Sequence, residues 1–185
     1  MEDYTIGIPI RNEELTLERC MDAATSQTLP PLLVLLCLNG SNEETIKISR
    51  KIERKSGGIV KILESEPGKA NAWNKILRES PTDHILFTDG DSFLPKDAGE
   101  KMLMALDKNP ECCVTGGDIF YLEPPNLPMA YGFFKKRLNR VYEVRNLNGA
   151  NYMVIKNRLL ALGKSFGIRL LQEDTINEDV LIGAI

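Results

Sequence analysis

Very little in this chain points to nucleic acid, a zinc site or a membrane span. Its 185 residues carry a net charge of -3 and a pI near 5.4, so no broad basic field exists to hold a polyanion, and nucleic acid is excluded as the main partner. An anionic ligand has to be met locally. No run approaches the roughly 18 consecutive apolar residues of a membrane span. The acidic start Met1-Glu2-Asp3 lacks the positive region of a signal peptide, so the chain is expected to be soluble and cytoplasmic. Cys20, Cys37, Cys112 and Cys113 do not have zinc-ligand spacing. Two of them fall in apolar segments, and all four are expected as free thiols in a reducing compartment.

Glycine-rich phosphate loops are also missing. A dinucleotide-binding unit would place G-x-G-x-x-G after its first strand, whereas this chain has Gly7-Ile8-Pro9-Ile10-Arg11-Asn12-Glu13. There is no P-loop, nor the glycine-rich basic loop that sugar-phosphate nucleotidyltransferases carry early in the chain.

What is present is alternation. Short apolar runs at 4–10, 32–38, 59–63 and 85–88 read as strands, and stretches of helical period at 14–26, 42–55, 70–78 and 96–108 lie between or after them. In the first helix Leu17, Cys20, Met21 and Ala24 share one face. Residues 113–120 and 152–155 also read as extended. With 43% hydrophobic residues, the pattern predicts an α/β fold with one compact domain over 1–185, built on a mostly parallel central sheet flanked by helices. His84, at the start of the fourth strand, is expected to be structural.

The fourth strand ends in Thr88-Asp89-Gly90-Asp91-Ser92. Taken alone, two acids one residue apart fit a turn that caps the next helix. They equally fit a turn, made sharp by Gly90, that offers oxygen ligands to Mg²⁺ or Mn²⁺. A bare carboxylate beside a phosphate is repulsive by about 4 kcal/mol at roughly 4 Å and an effective dielectric of ~20, and a dication reverses that sign. The other strand ends favour the second reading. Arg11-Asn12-Glu13 follows the first strand, Asn39-Gly40-Ser41 the second and Glu66-Pro67-Gly68-Lys69 the third. Open α/β sheets bind ligands at the carboxyl ends of their strands, so these segments are expected to share one nucleotide site.

Pro9-Ile10-Arg11-Asn12-Glu13, Asn39-Gly40-Ser41, Pro67-Gly68-Lys69-Ala70-Asn71-Ala72-Trp73-Asn74, Thr88-Asp89-Gly90-Asp91-Ser92 and Glu178-Asp179 together resemble, in order and spacing, the motifs of family 2 glycosyltransferases. The resemblance covers nearly the whole chain. It implies a GT-A fold and an inverting, metal-dependent transfer of a sugar from a nucleotide-diphosphate donor. Carried over by position, it implies that Pro9, Arg11 and Glu13 line the base and ribose pocket and that Asn39 stands where many members have an acid against the base. It implies that Lys69 offsets phosphate charge, and that Asp89 and Asp91 hold the ribose and a Mg²⁺ or Mn²⁺ ion, with Asp91 the direct ligand. Asp179 is implied as general base. An amide at 39 both donates and accepts, which leaves the base open, with uridine preferred. Out of this context Glu178-Asp179 also fits a helix N-terminus.

Gly116-Gly117-Asp118 and Asn148-Gly149-Ala150-Asn151-Tyr152 resemble segments beside the acceptor pocket. Asp118, Asn148, Asn151 and Glu178 are therefore candidate acceptor residues, for a carbohydrate or a lipid-linked acceptor, although turn chemistry accounts for Asn-Gly equally well. Tyr131-Gly132-Phe133-Phe134-Lys135-Lys136-Arg137 fits a helix with one buried and one solvated face. It also fits a peripheral contact that would bring the chain to the inner face of a membrane. Ile185 lies six residues beyond Asp179, where family members usually continue with acceptor-side helices and a glutamine, arginine and tryptophan motif. The resemblance therefore implies a catalytic domain without its usual C-terminal extension. The competing expectation is a non-catalytic nucleotide-sugar binding module, or a fragment completed by another chain or segment.

Overall fold

The computed structural model describes residues 2–117 and 151–165. The strands are β1 (Tyr4–Ile10), β2 (Leu33–Leu38), β3 (Val60–Glu64), β4 (His84–Thr88), β5 (Val114–Gly116) and β6 (Asn151–Ile155). The helices are α1 (Leu17–Thr25), α2 (Glu43–Lys55), α3 (Lys69–Glu79), α4 (Ala98–Lys108) and α5 (Lys156–Ser165). They form a six-stranded sheet in the order β3-β2-β1-β4-β6-β5. β1 to β4 run parallel, and β6 is antiparallel to both β4 and β5. The strand pattern read from the sequence is thus present, while α5 follows β6 directly and had no counterpart in that reading.

Alternation along each strand sorts side chains to the two faces. Ile6, Ile8 and Ile10 of β1, Val34, Leu36 and Leu38 of β2, and Leu86 of β4 pack with Leu17, Cys20, Met21 and Ala24 of α1 and with Met102, Leu103 and Leu106 of α4. On the opposite face Leu35, Cys37, Ile85, Phe87, Tyr152 and Val154 pack against Trp73, Ile76 and Leu77 of α3 and Leu159 of α5. Each fully buried Leu, Ile or Phe stabilises the fold by roughly 1.5–3 kcal/mol. The rings of Trp73 and Phe87 stack at 3.5 Å between centroids, 8° from parallel, and Tyr152 lies 4.9 Å from Trp73.

Helix boundaries differ from the sequence reading where tertiary contacts intervene. α1 begins at Leu17 rather than at 14, because the Glu13 carbonyl accepts from the Thr16 and Leu17 amides at 3.1 and 3.0 Å and holds residues 14–16 in a turn. α4 begins at Ala98 rather than 96. Its preceding segment is fastened by Gln27, whose Nε2 donates to Pro95 O at 2.8 Å and whose Oε1 accepts from the Gly99 amide at 3.1 Å. α2 starts after Asn42, whose side chain accepts from the Thr45 amide, the usual N-cap geometry. His84 is the first residue of β4, and its Nδ1 lies 3.0 Å from Glu2.

Candidate donor site at the carboxyl rim of the sheet

Because β1, β2, β3 and β4 are parallel, their carboxyl ends meet at one rim. The loops leaving β1 and β2 are bound together there. Asn12 stands in the left-handed region at φ 56°, where asparagine is tolerated better than most residues, and its Oδ1 accepts from the Asn42 amide at 2.7 Å. Ser41 Oγ donates to Ile10 O at 2.8 Å, and Glu14 Oε2 accepts from Thr45 Oγ1 at 3.0 Å. These bonds frame a cleft of about 250 Å³ lined by Pro9, Arg11, Glu13, Asn39, Lys69, Asp89 and Asp91. Every donor-side candidate read from the sequence thus borders the same cavity. A larger groove of about 480 Å³ runs along the exposed face of α2 between Lys47, Arg50, Glu53 and Arg54. It holds no strand end, and Glu53 is engaged with the Ile62 amide at 2.7 Å.

The acids of the cleft are not equivalent. Asp89 Oδ1 lies 2.9 Å from Lys69 Nζ, so the lysine at the start of α3 already balances part of its charge. Asp91 is exposed and accepts a long hydrogen bond, 3.4 Å, from Ser92 Oγ. It is the more accessible of the two carboxylates. Cys20 supports the turn from the α1 side, its Sγ donating to Asp89 O at 3.5 Å. Burial first, then the neighbouring carboxylates of Glu13, Asp91 and Asp89, push the Cys20 thiol up to about 12, so it stays protonated and serves as a donor.

Glu13 sits beneath the turn. Its carboxyl group is raised to about 7, chiefly by burial and then by Asp91 and Asp89, with the Arg11 backbone and Lys69 acting in the opposite direction. Gly90 lies directly over it. A Cβ at position 90 would overlap Glu13 Oε2 and stand 2.7 Å from Ile10 Cδ1. Gly90 is not among the residues of positive φ, so close approach, and not a sharp turn, is what requires glycine there. This corrects the reason inferred from the sequence.

Of the residues expected to meet an acceptor, Asn151 opens β6 opposite Thr88. Its side chain lies over Gly117, where a Cβ would meet Asn151 Nδ2. Asp118, Asn148, Glu178 and Asp179, together with Tyr131 to Arg137, lie outside the described residues. Among the described residues, Glu13 Oε2, Thr88 Oγ1 and Asn151 Oδ1 are each buried without a hydrogen-bond partner, and each adjoins the Asp89-Gly90-Asp91 turn or its neighbouring strand end. Thr88 and Asn12 were not singled out from the sequence. Asn12 acts through its bond to Asn42, 30 positions away, and Thr88 is placed by its register with Asn151.

The arrangement is a polar cleft at the strand ends of an open α/β sheet, faced by three acids, Arg11 and Lys69. The model of the family described as Glycosyl transferase family 2 matches residues 5–161, and the chain belongs to that family. Among curated relatives it is 25% identical over 117 residues to a poly-beta-1,6-N-acetyl-D-glucosamine synthase of Staphylococcus aureus (strain COL), spanning 63% of this chain and 28% of the relative. It is 29% identical over 113 residues to the chondroitin synthase of Pasteurella multocida, spanning 60% of this chain and 12% of that protein. The chain therefore spans well under half the length of these relatives. Among solved structures, S. aureus TarS residues 1–349 in complex with UDP-GlcNAc aligns with a TM-score of 0.72 at 19% identity, over 98% of this chain and 52% of that one. The mannosyltransferase PcManGT of Pyrobaculum calidifontis, in complex with GDP-Man and Mn²⁺, aligns with a TM-score of 0.74 at 20% identity, also over 98% and 52%. The fold is GT-A.

Proposed function

We propose that the chain transfers a sugar from a nucleotide-diphosphate donor, with UDP preferred, to an acceptor hydroxyl. The observation that carries this reading is the convergence of Pro9, Arg11, Glu13, Asn39, Lys69, Asp89 and Asp91 on one cleft. Family membership supports it, as do relatives whose structures hold UDP-GlcNAc or GDP-Man. Pro9, Arg11 and Asn39 would receive the nucleoside, and Lys69 would face the phosphates.

Among the described residues no set of three acids, histidines or cysteines is gathered to hold a metal. Two carboxylates completed by substrate phosphates are instead the arrangement that suits Mg²⁺ or Mn²⁺. Asp91, the exposed acid, would be the direct ligand, with Asp89 beside it. A bound cation would stabilise the charge that develops on the departing nucleoside diphosphate. Asp179 would take the proton of the acceptor hydroxyl as that oxygen bonds to the anomeric carbon. The bond to the diphosphate oxygen breaks on the opposite face with its electron pair, and configuration inverts. A carbohydrate or a lipid-linked acceptor fits this chemistry, the latter with Tyr131 to Arg137 resting on the inner face of a membrane. No helix among the described residues is long and apolar enough to cross one.

Calorimetric titration of UDP and GDP, each with Mn²⁺ and with EDTA, tests the donor site in the wild-type chain and in Asp91→Asn. Metal-dependent binding of one nucleotide, lost in the variant, is the expected result. In Asp179→Asn the reading expects donor binding to persist and transfer to stop. Unchanged nucleotide binding in Asp91→Asn overturns the metal assignment. If Asp179→Asn alters nothing measurable and no transfer is found for the wild-type chain, a non-catalytic nucleotide-sugar binding module is favoured instead.

A further inference from the structure

We propose that Glu13 is a positioning residue that props the Asp89-Gly90-Asp91 turn from below, and is not a contact to the donor base. The proposal rests on the donor-site reading above for its consequence but on packing for its argument. Glu13 leaves β1 on a turn fastened by its own carbonyl to the Thr16 and Leu17 amides, which sends its side chain under the end of β4. There Oε2 occupies the space that the Cβ of any residue but glycine would take at position 90, beside Ile10 Cδ1. That oxygen is buried and has no hydrogen-bond partner among the described residues. A buried acceptor without a donor is costly, and one aimed at a glycine α-carbon has at most a weak C–H contact to offset it.

An oxygen in that position sets how closely the β4 turn approaches β1. Cys20 Sγ holds the same turn by the Asp89 carbonyl, and Gln27 fastens the segment beyond it through Pro95 and Gly99. Glu13 thus sets the height of the turn while Cys20 and Gln27 set its lateral place. The spacing of Asp89 and Asp91 follows from all three.

A double-substitution cycle on Glu13 and Gly90 separates propping from ligand contact, because additivity fails only for residues that interact. Gly90→Ala should lower Tm by about 5 °C, as overpacked sites do, and weaken UDP binding in Mn²⁺ by about tenfold or more. Glu13→Ala should weaken binding in Mn²⁺ with little change in EDTA. Combining the two lets the new methyl group fill the vacated space, so most of both losses should be recovered. Glu13→Gln, which keeps the shape, should bind within about threefold of wild type. The proposal is overturned if the double variant shows the sum of the single losses. It is equally overturned if Glu13→Gln loses as much affinity as Glu13→Ala, or if both lose affinity equally with and without Mn²⁺, since those results mark a direct contact. If the wild-type chain binds no UDP, the donor reading fails by itself, and the Tm cycle still decides whether Glu13 and Gly90 are coupled.

Discussion

Lys69 Nζ lies 2.9 Å from Asp89 Oδ1, joining the first residue of α3 to the residue that follows β4. Both side chains are partly exposed, at 36% and 26%, and such pairs contribute at most about 1 kcal/mol. Lys69→Ala is therefore expected to move Tm by less than about 4 °C. Its effect on ligand binding should be larger, because it removes one of two cations, the other being Arg11, from a cleft that also presents Asp89, Asp91 and Glu13. Metal-free UDP affinity should fall about tenfold, equivalent to 1.4 kcal/mol, with partial recovery when Mn²⁺ is added. Melting curves and calorimetry on the same preparation check both halves.

Stability should depend on the protonation of Glu13. Its folded-state pKa is raised from 4.5 to about 7, so the folded chain holds a proton that the unfolded chain releases. The resulting stability is fully present below about 4.5 and is lost as pH rises through about 7. Allowing for the partial exposure of the residue, the loss is about 1–2 kcal/mol. Urea denaturation at pH 5 and pH 8 should show this decline in wild type and a smaller one in Glu13→Gln. Identical slopes in the two proteins would remove Glu13 as its source.

Asn12 combines a left-handed backbone with a side-chain bond to the Asn42 amide. Asn12→Gly keeps the conformation and loses the bond, at a cost of about 0.5–1.5 kcal/mol. Asn12→Ala loses both and should cost about 1 kcal/mol more. Chemical denaturation of the two variants should preserve that order, and the reverse order would show that the backbone at position 12 is not under this constraint.

Trp73 is buried and packs on both Phe87 and Tyr152, whose rings also stack on each other at 5.7 Å. Trp73→Ala should destabilise the domain by about 3–5 kcal/mol, and Trp73→Phe by considerably less. The strand that carries Phe87 ends one residue before Asp89, so the alanine variant should also weaken Mn²⁺-dependent nucleotide binding at temperatures where it remains folded. Circular dichroism and calorimetry below the lowered Tm measure the two effects separately.

The existence of β1 to β4, their β-α alternation and the polar segments at their carboxyl ends were legible because each is a local signal. A run of apolar residues stops, and Arg11, Asn39, Lys69 or Asp89 follows within a few positions. The face of α1 carrying Leu17, Cys20, Met21 and Ala24 was legible for the same reason, since helical period is written into adjacent turns. α5 was missed because its length is not set off from β6 by any turn residue; Lys156 follows Ile155 directly.

By itself the sequence determined which strands are buried on both faces, which residue types stand at their ends and which family the order of motifs resembles. The tertiary structure alone decided how those ends engage one another. β4 lies beside β1, and this brings Gly90 over Glu13, 77 positions away in the chain, and makes glycine obligatory for space. It likewise turns Lys69 toward Asp89 and leaves Asp91 exposed. The physical reason is range: periodicity and turn chemistry act between near neighbours, whereas strand order and close packing join residues whose separation carries no local signature.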